Sequence, residues 1–401
     1  MYGRTGHLLK LALAALIGTG VSISSAAHGQ VNPFTGQGGT TQPPSDIAQA
    51  RAMLGNKKFE EALTVLKKYS ARYPQDIEGH ALLALVLQQL RKFDDAAEEY
   101  RRLIDLSPGN SAFYNGLGSA LQNSNKTETA RQAFRHAVAL NAQDTASRFG
   151  IGSTFVKDKQ YEDARNSFIA ALGYAPDSPD IHAALADVYE QLNQHELSLQ
   201  EYSAALRLAP GAAQAIIGQA TALAGLKRRS EAEKLMRDLV TRTPNDPLAH
   251  TGLAQTLDTC GSHTEAIEEY RKVIKLTPDD AYTWGNMGWA MYGAGRYQES
   301  ITASKKALTL DRSLAYVQFN IGLAFTVQNK PVDARAAYVA GLKIGMPSDI
   351  RSAINDLNEA AKKAATPLND QMKKLLADEV NKRNGLRTGL IPDGSIWNRR
   401  L

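Results

Sequence analysis

A single cysteine, Cys260, stands among 401 residues, so no disulfide can form within the chain and stability has to come from packing. No base adjoins it, and it falls on the last turn of an expected helix, which gives no support for a reactive thiol. Long apolar runs are missing too. Leu11 to Ile17 is far shorter than the roughly 20 residues a membrane-crossing helix needs, and no later run is longer, so no transmembrane segment is expected. Excess charge of one sign is also absent: the formal net charge of +5 is too weak to imply nucleic acid, and Arg4 and Lys10 contribute to it from a segment expected to be removed. There is no HExxH, no glycine-rich phosphate loop and no nucleophile elbow, so no catalytic residue, metal or cofactor is expected.

What is present starts with a leader. Cations at Arg4 and Lys10, the apolar run Leu11 to Ile17 and small residues through Ala27 have the order of a secretory signal peptide over residues 1–27. Cleavage after Ala27 is favoured, with Gly29 the alternative; no cysteine follows the run, which excludes lipid attachment there. The expected location is the periplasm or the cell exterior. Residues 28–42, rich in Gly, Gln, Thr and Asn, have no periodicity and are expected to form a flexible leader.

Beyond this point the chain repeats. Prolines at 74, 108, 176, 210, 244 and 278 are separated by 34 residues or twice that. In blocks of 34 beginning at residue 43, the eighth position is always Ala or Gly (Ala50, Ala84, Gly118, Gly152, Ala186, Ala220, Ala254, Gly288, Gly322). The twentieth is always Ala or Ser (Ala62, Ala96, Ala130, Ala164, Ser198, Ala232, Ala266, Ser300, Ala334). Two columns without a large side chain mark close contact between paired helices. Large apolar residues at positions 7 and 11, such as Leu117 and Leu121, and at 24 and 28, such as Phe134 and Val138, form two helical stripes per block. Nine blocks cover residues 43–348 without insertion, starting at 43, 77, 111, 145, 179, 213, 247, 281 and 315, which predicts one uninterrupted stack. The first block, with Asp46 and Gln49 at positions 4 and 7, is expected to have a poorly formed or merely capping first helix. Residues 349–383 are expected to cap the stack: a helix over 349–365 with Ser348 as N-cap and Ile350, Ile354 and Leu357 inward, then one over about 369–383 using Met372, Leu375, Leu376 and Val380. Residues 384–401 are expected to be a mobile tail.

The block at 111, with Tyr114, Leu117, Gly118, Leu121, Ala130, Phe134 and Ala137, and the block at 281, with Trp284, Met287, Gly288 and Met291, resemble the tetratricopeptide repeat. The resemblance implies an all-α fold, a right-handed α-α superhelix of nine helix hairpins plus C-terminal capping helices. It further implies a non-catalytic scaffold that binds a peptide segment or partner helix in a concave groove lined by the first helix of each repeat. In repeats 8 and 9 the groove positions gather an aromatic patch with two asparagines one repeat apart, so Tyr282, Asn286, Trp289, Tyr292, Tyr316, Phe319 and Asn320 are the candidate binding residues. Aromatic side chains supply contact area, and a carboxamide both donates to and accepts from a peptide backbone. Packing of these aromatics against the C-terminal helices is the alternative. The Lys and Asn set of a carboxylate clamp is missing, so a chaperone tail is not the expected ligand. His80, His182 and His250, all at position 4, are too far apart along the repeats to share a metal and are read as structural. By analogy with exported members of the family, the partners are other envelope proteins or peptides of pilus, secretion or exopolysaccharide machinery. A carbohydrate polymer stacked on Trp289, Tyr292 and Tyr316, or a role as accessory subunit of an envelope enzyme, are the competing readings.

Overall fold

A computed structural model describes residues 45–387, with side chains through 383. The expected signal peptide, the leader 28–42 and most of the tail lie outside the described residues. Twenty helices and no strands are found among those residues. They pair as hairpins: α1 (Ser45–Gly55) with α2 (Phe59–Arg72), α3 (Ile77–Gln89) with α4 (Phe93–Leu106), and α5 (Ser111–Asn123) with α6 (Thr127–Leu140). Next come α7 (Thr145–Lys157) with α8 (Tyr161–Leu172), α9 (Pro179–Gln191) with α10 (His195–Leu208), and α11 (Ala213–Gly225) with α12 (Arg229–Arg242). The last repeats are α13 (Pro247–Thr259) with α14 (His263–Leu276), α15 (Ala281–Gly293) with α16 (Tyr297–Leu310), and α17 (Ala315–Val327) with α18 (Pro331–Ile344). Two further helices, α19 (Pro347–Lys363) and α20 (Pro367–Arg387), end the described chain. From the second repeat on, every first helix starts on the first residue of its 34-residue block, and all nine second helices start on the seventeenth. The chain divides after Gly218 into two compact units.

Within each unit a hairpin packs its second helix against the first helix of the next, as α4 does on α5 and α14 on α15. First helices of successive repeats also touch, α5 with α7 and α13 with α15 and α15 with α17, so they share one side of the stack. The small residues sit where the spacing placed them: both columns are buried throughout. Position 24 supplies the plugs, and Phe134, Phe168, Tyr202, Tyr270 and Tyr338 are among the largest fully buried side chains. The Phe134 ring is held between two backbones, because a Cβ on Gly118 would stand 2.7 Å from it and one on Gly150, in the next repeat, 2.6 Å. Glycine is needed at both places for that close approach.

Three local devices set the helix ends. Position 34 caps the following first helix: Asp76, Asn110, Asp144, Ser178, Asp246 and Asp280 each accept a hydrogen bond from a backbone N–H of its first turn. Position 15 stops the first helix in the left-handed conformation in all nine repeats, at Lys57, Arg91, Asn125, Lys159, Asn193, Lys227, Gly261, Gly295 and Asn329. The next N–H bonds back to position 11, as Lys92 N to Leu87 O at 2.8 Å and Arg296 N to Met291 O at 2.8 Å, which satisfies a carbonyl left open at the helix end. Position 4 then ties the preceding loop. His80, His182 and His250 donate through Nε2 to the carbonyls of Pro74, Pro176 and Pro244, at 3.2, 2.9 and 2.9 Å. Arg148 donates likewise to Ala142 and Trp284 to Pro278, both at 3.0 Å.

Of the two expectations for repeat 1, poor formation is not met: its first helix is formed, because Ile47 and Ala50 are buried in a shared core with Leu63 and Leu66 of α2, in place of the missing apolar positions 4 and 7. The C-terminal hairpin starts earlier and ends later: Asp349 accepts from the Met346 N–H at 2.7 Å, moving the cap from Ser348 to Met346. At the other end α20 runs on to Arg387, past the expected end at residue 383, and an Arg383 to Glu379 bond of 2.8 Å braces its last turns.

A candidate partner-binding face in repeats 8 and 9

The candidate residues lie on α15 and α17 (and so in one unit), where the two first helices touch. Spacings of four and three put Tyr282, Asn286 and Trp289 on one stripe of α15. Tyr282 is 46% exposed, while Asn286 and Trp289 are half-buried. Trp289 stacks on Tyr292 with ring centroids 5.4 Å apart and planes 21° from parallel, and Tyr292 meets Tyr297 at 5.4 Å. Burial, with Tyr297 and Asp356 adding negative potential, pushes the Tyr292 hydroxyl up to about 12.

On α17 the corresponding residues are deeper. Phe319 is only 3% exposed; its ring lies 6.2 Å from that of Tyr338 and over the bare backbones of Gly341 and Gly345. The physical reason is that α19 packs on α17, and Phe319 and Leu323 join Ile350, Ala353 and Leu357 in one core. Trp289 and Tyr292 pack against that same core. Asn320 is 6% exposed. Tyr316 folds back on α15, its hydroxyl 2.7 Å from where a Cβ of Gly285 would be, and burial raises its pKa. The room left by Gly293 is taken by the His263 ring.

Two polar groups stand out. The carboxamides of Asn286 and Asn320 lie one repeat apart at position 6, and neither is among the described buried polar groups left without a hydrogen bond. In the middle repeats two groove carboxylates are paired: Glu190 lies 3.2 Å from His195 Nδ1, and Asp258 lies 2.7 Å from His263 Nδ1. Burial raises Asp258, and the His263 contact opposes the rise. The three position-4 histidines are part of the architecture, each with its Nδ1 against a carboxylate of its own hairpin: Glu99 at 2.6 Å, Glu201 at 2.6 Å and Glu269 at 2.7 Å. Burial pushes Glu269 up, but bonds from Lys272 and His250 outweigh it and hold the carboxyl below its ordinary value. Cys260 is buried, which raises its thiol. Among the described residues no group of three or more His, Cys, Asp or Glu could hold a metal ion, and no helix is long and apolar enough to cross a membrane.

Comparison with known proteins follows the same lines. A profile described as tetratricopeptide repeat matches residues 47–111, 81–145 and 149–213, and one described as TPR repeat matches 259–295. A TPR repeat-containing protein of Methanocaldococcus jannaschii is 41% identical over 51 residues, which span 13% of this chain and 16% of that protein's length. Among solved structures, a tetratricopeptide repeat protein from Parabacteroides merdae matches with a TM-score of 0.55 at 17% identity, over 62% of this chain and 98% of that one. The C-terminal part of a TPR repeat-containing protein from Cytophaga hutchinsonii matches at 0.47 and 16% identity, over 60% and 99% of the two chains. At 17% identity the likeness to the Parabacteroides merdae protein is one of fold. With matching profiles over about half of its length and its described hairpins in one 34-residue register, the chain belongs to the tetratricopeptide repeat family.

Proposed function

We propose that this protein is an exported, non-catalytic scaffold of the cell envelope that holds a peptide segment or helix of another protein against the first helices of repeats 8 and 9. The tetratricopeptide fold is in general a scaffold for protein–protein interaction. The observation that carries the site is the pair of carboxamides one repeat apart, Asn286 and Asn320, beside the exposed Tyr282 and the half-exposed Trp289. A carboxamide offers a partner backbone both a donor and an acceptor. Export is supported by the leader alone, with its cations, apolar run and small residues before Ala27.

Co-purification from envelope extract, with mass spectrometry of what is retained, tests this reading. Asn286→Ala should leave helical content unchanged and reduce capture of the retained protein; undiminished capture would make the pair structural. The Trp289 and Tyr292 stack keeps a carbohydrate reading alive, since a flat half-exposed indole suits a sugar ring. Binding on a glycan array that vanishes in Trp289→Ala would favour it over the scaffold. Protein recovered from periplasm should begin at His28, and an uncleaved N-terminus would contradict export.

A further inference from the structure

Between repeats of one unit, each new first helix packs on the second helix before it; α19 departs from this and packs on the first helix α17, while α20 packs on α18. The α19 and α20 hairpin therefore takes the side of α17 on which the candidate residues lie, with Ile350, Ala353 and Leu357 closing over Phe319 and Leu323. We infer that this hairpin is a displaceable cover that occupies, on the ninth repeat, the place a partner segment would take. The inference rests on the reading of α15 and α17 as the partner-binding face.

Two features distinguish a cover from a permanent cap. Its docked position half-buries Asp356 of α19, and burial pushes that carboxyl up to about 6, so the charged form weakens the hold at neutral pH. The second feature is how the hairpin is held. Apart from its apolar stripe, the hold is concentrated in Arg383, whose guanidinium donates to Gly345 O at 2.6 Å and to Leu342 O, the open carbonyls at the end of α18, while Nε bonds Glu379 at 2.8 Å. One latch on one stripe is a contact that a better-matched segment can replace.

The test uses the full chain carrying Asn320→Cys, labelled with a maleimide under native conditions, with buried Cys260 as internal reference. Residue 320 should label much faster than Cys260 while helical content stays unchanged, and adding Arg383→Ala should accelerate it about tenfold, the effect of losing about 1.4 kcal/mol of hold. Labelling at the rate of Cys260, or insensitivity to Arg383→Ala, would overturn the inference. Hydrogen exchange on the unsubstituted chain guards against a variant that misfolds: peptides of 347–383 should exchange before those of α15 and α16, and simultaneous exchange would also overturn it. Asn286→Ala in the capture experiment addresses the partner face separately, so the two readings fail independently.

Discussion

Gly118→Ala adds one methyl group where there is no space for it. The new carbon would stand 2.7 Å from two ring carbons of Phe134, against an ordinary contact of about 3.5–4.0 Å between carbons. Phe134 is 2% exposed and cannot swing away, since the Gly150 backbone closes its other side with an equivalent gap of 2.6 Å. Overpacking of this kind costs about 1–3 kcal/mol, while alanine in place of glycine inside a helix returns about 1 kcal/mol, so a net loss of about 0–2 kcal/mol is expected. The decisive quantity is the coupling with Phe134→Leu, because a leucine fills position 24 beside an alanine at position 8 in the first repeat, as Leu66 and Ala50. Phe134→Leu alone should cost about 1 kcal/mol, and the double variant should be more stable than the sum of the two losses by about 1–2 kcal/mol. Repeat arrays unfold piecemeal, so the assay is native-state hydrogen exchange read at α5, α6 and α7, not a single global melting point. Additivity within about 0.5 kcal/mol would refute the idea that one ring plugs two glycine holes.

Three further outcomes follow from the local devices. Lys159 holds φ at 60° where glycine is free to sit, so Lys159→Gly should stabilise the fourth hairpin by about 0.5–1 kcal/mol in the same exchange assay, and Gly295→Ala should weaken the eighth by a similar amount. His250→Phe removes the donor to Pro244 O and one partner of Glu269, and should cost about 1–3 kcal/mol, visible as faster exchange in α13 and α14; an unchanged rate would remove the clasp from the account. Asp356 is pushed up from 3.8 to about 6 by burial, so its contribution to holding the C-terminal hairpin is fully present below about pH 4 and is lost as pH rises through about 6. At pH 7 Asp356→Asn should therefore stabilise that hairpin by about 1–2 kcal/mol after allowance for its partial exposure, with no effect at pH 4, and a pH-independent change would contradict the burial argument.

The repeat was legible because its contacts are steric: two columns that admit only small side chains cannot be filled otherwise, and their spacing alone put the helices in register. The same reading placed Ile350, Leu357, Met372 and Leu376 inward, where they are buried. The turn at position 15 was not legible, since four of its nine residues are Lys57, Arg91, Lys159 and Lys227, types with no preference for the left-handed conformation; only the backbone reveals them. The loop clasp was hidden by chemistry that looks unrelated, because His, Arg and Trp share an N–H at one position and little else. Phe319 and Asn320 occupy groove positions by count, and their burial depends on where α19 turns after Gly345, which no local pattern encodes. The first helix of repeat 1 escaped because its inward residues, Ile47 and Ala50, keep only part of the pattern of the other blocks.

The most direct measurement of the partner-face assignment is hydrogen exchange on the full chain with and without the protein retained in co-purification. Slowed exchange should concentrate in α15 and α17, the first helices of repeats 8 and 9. Slowing confined to the second helices α14, α16 and α18, with α15 and α17 unchanged, would contradict it.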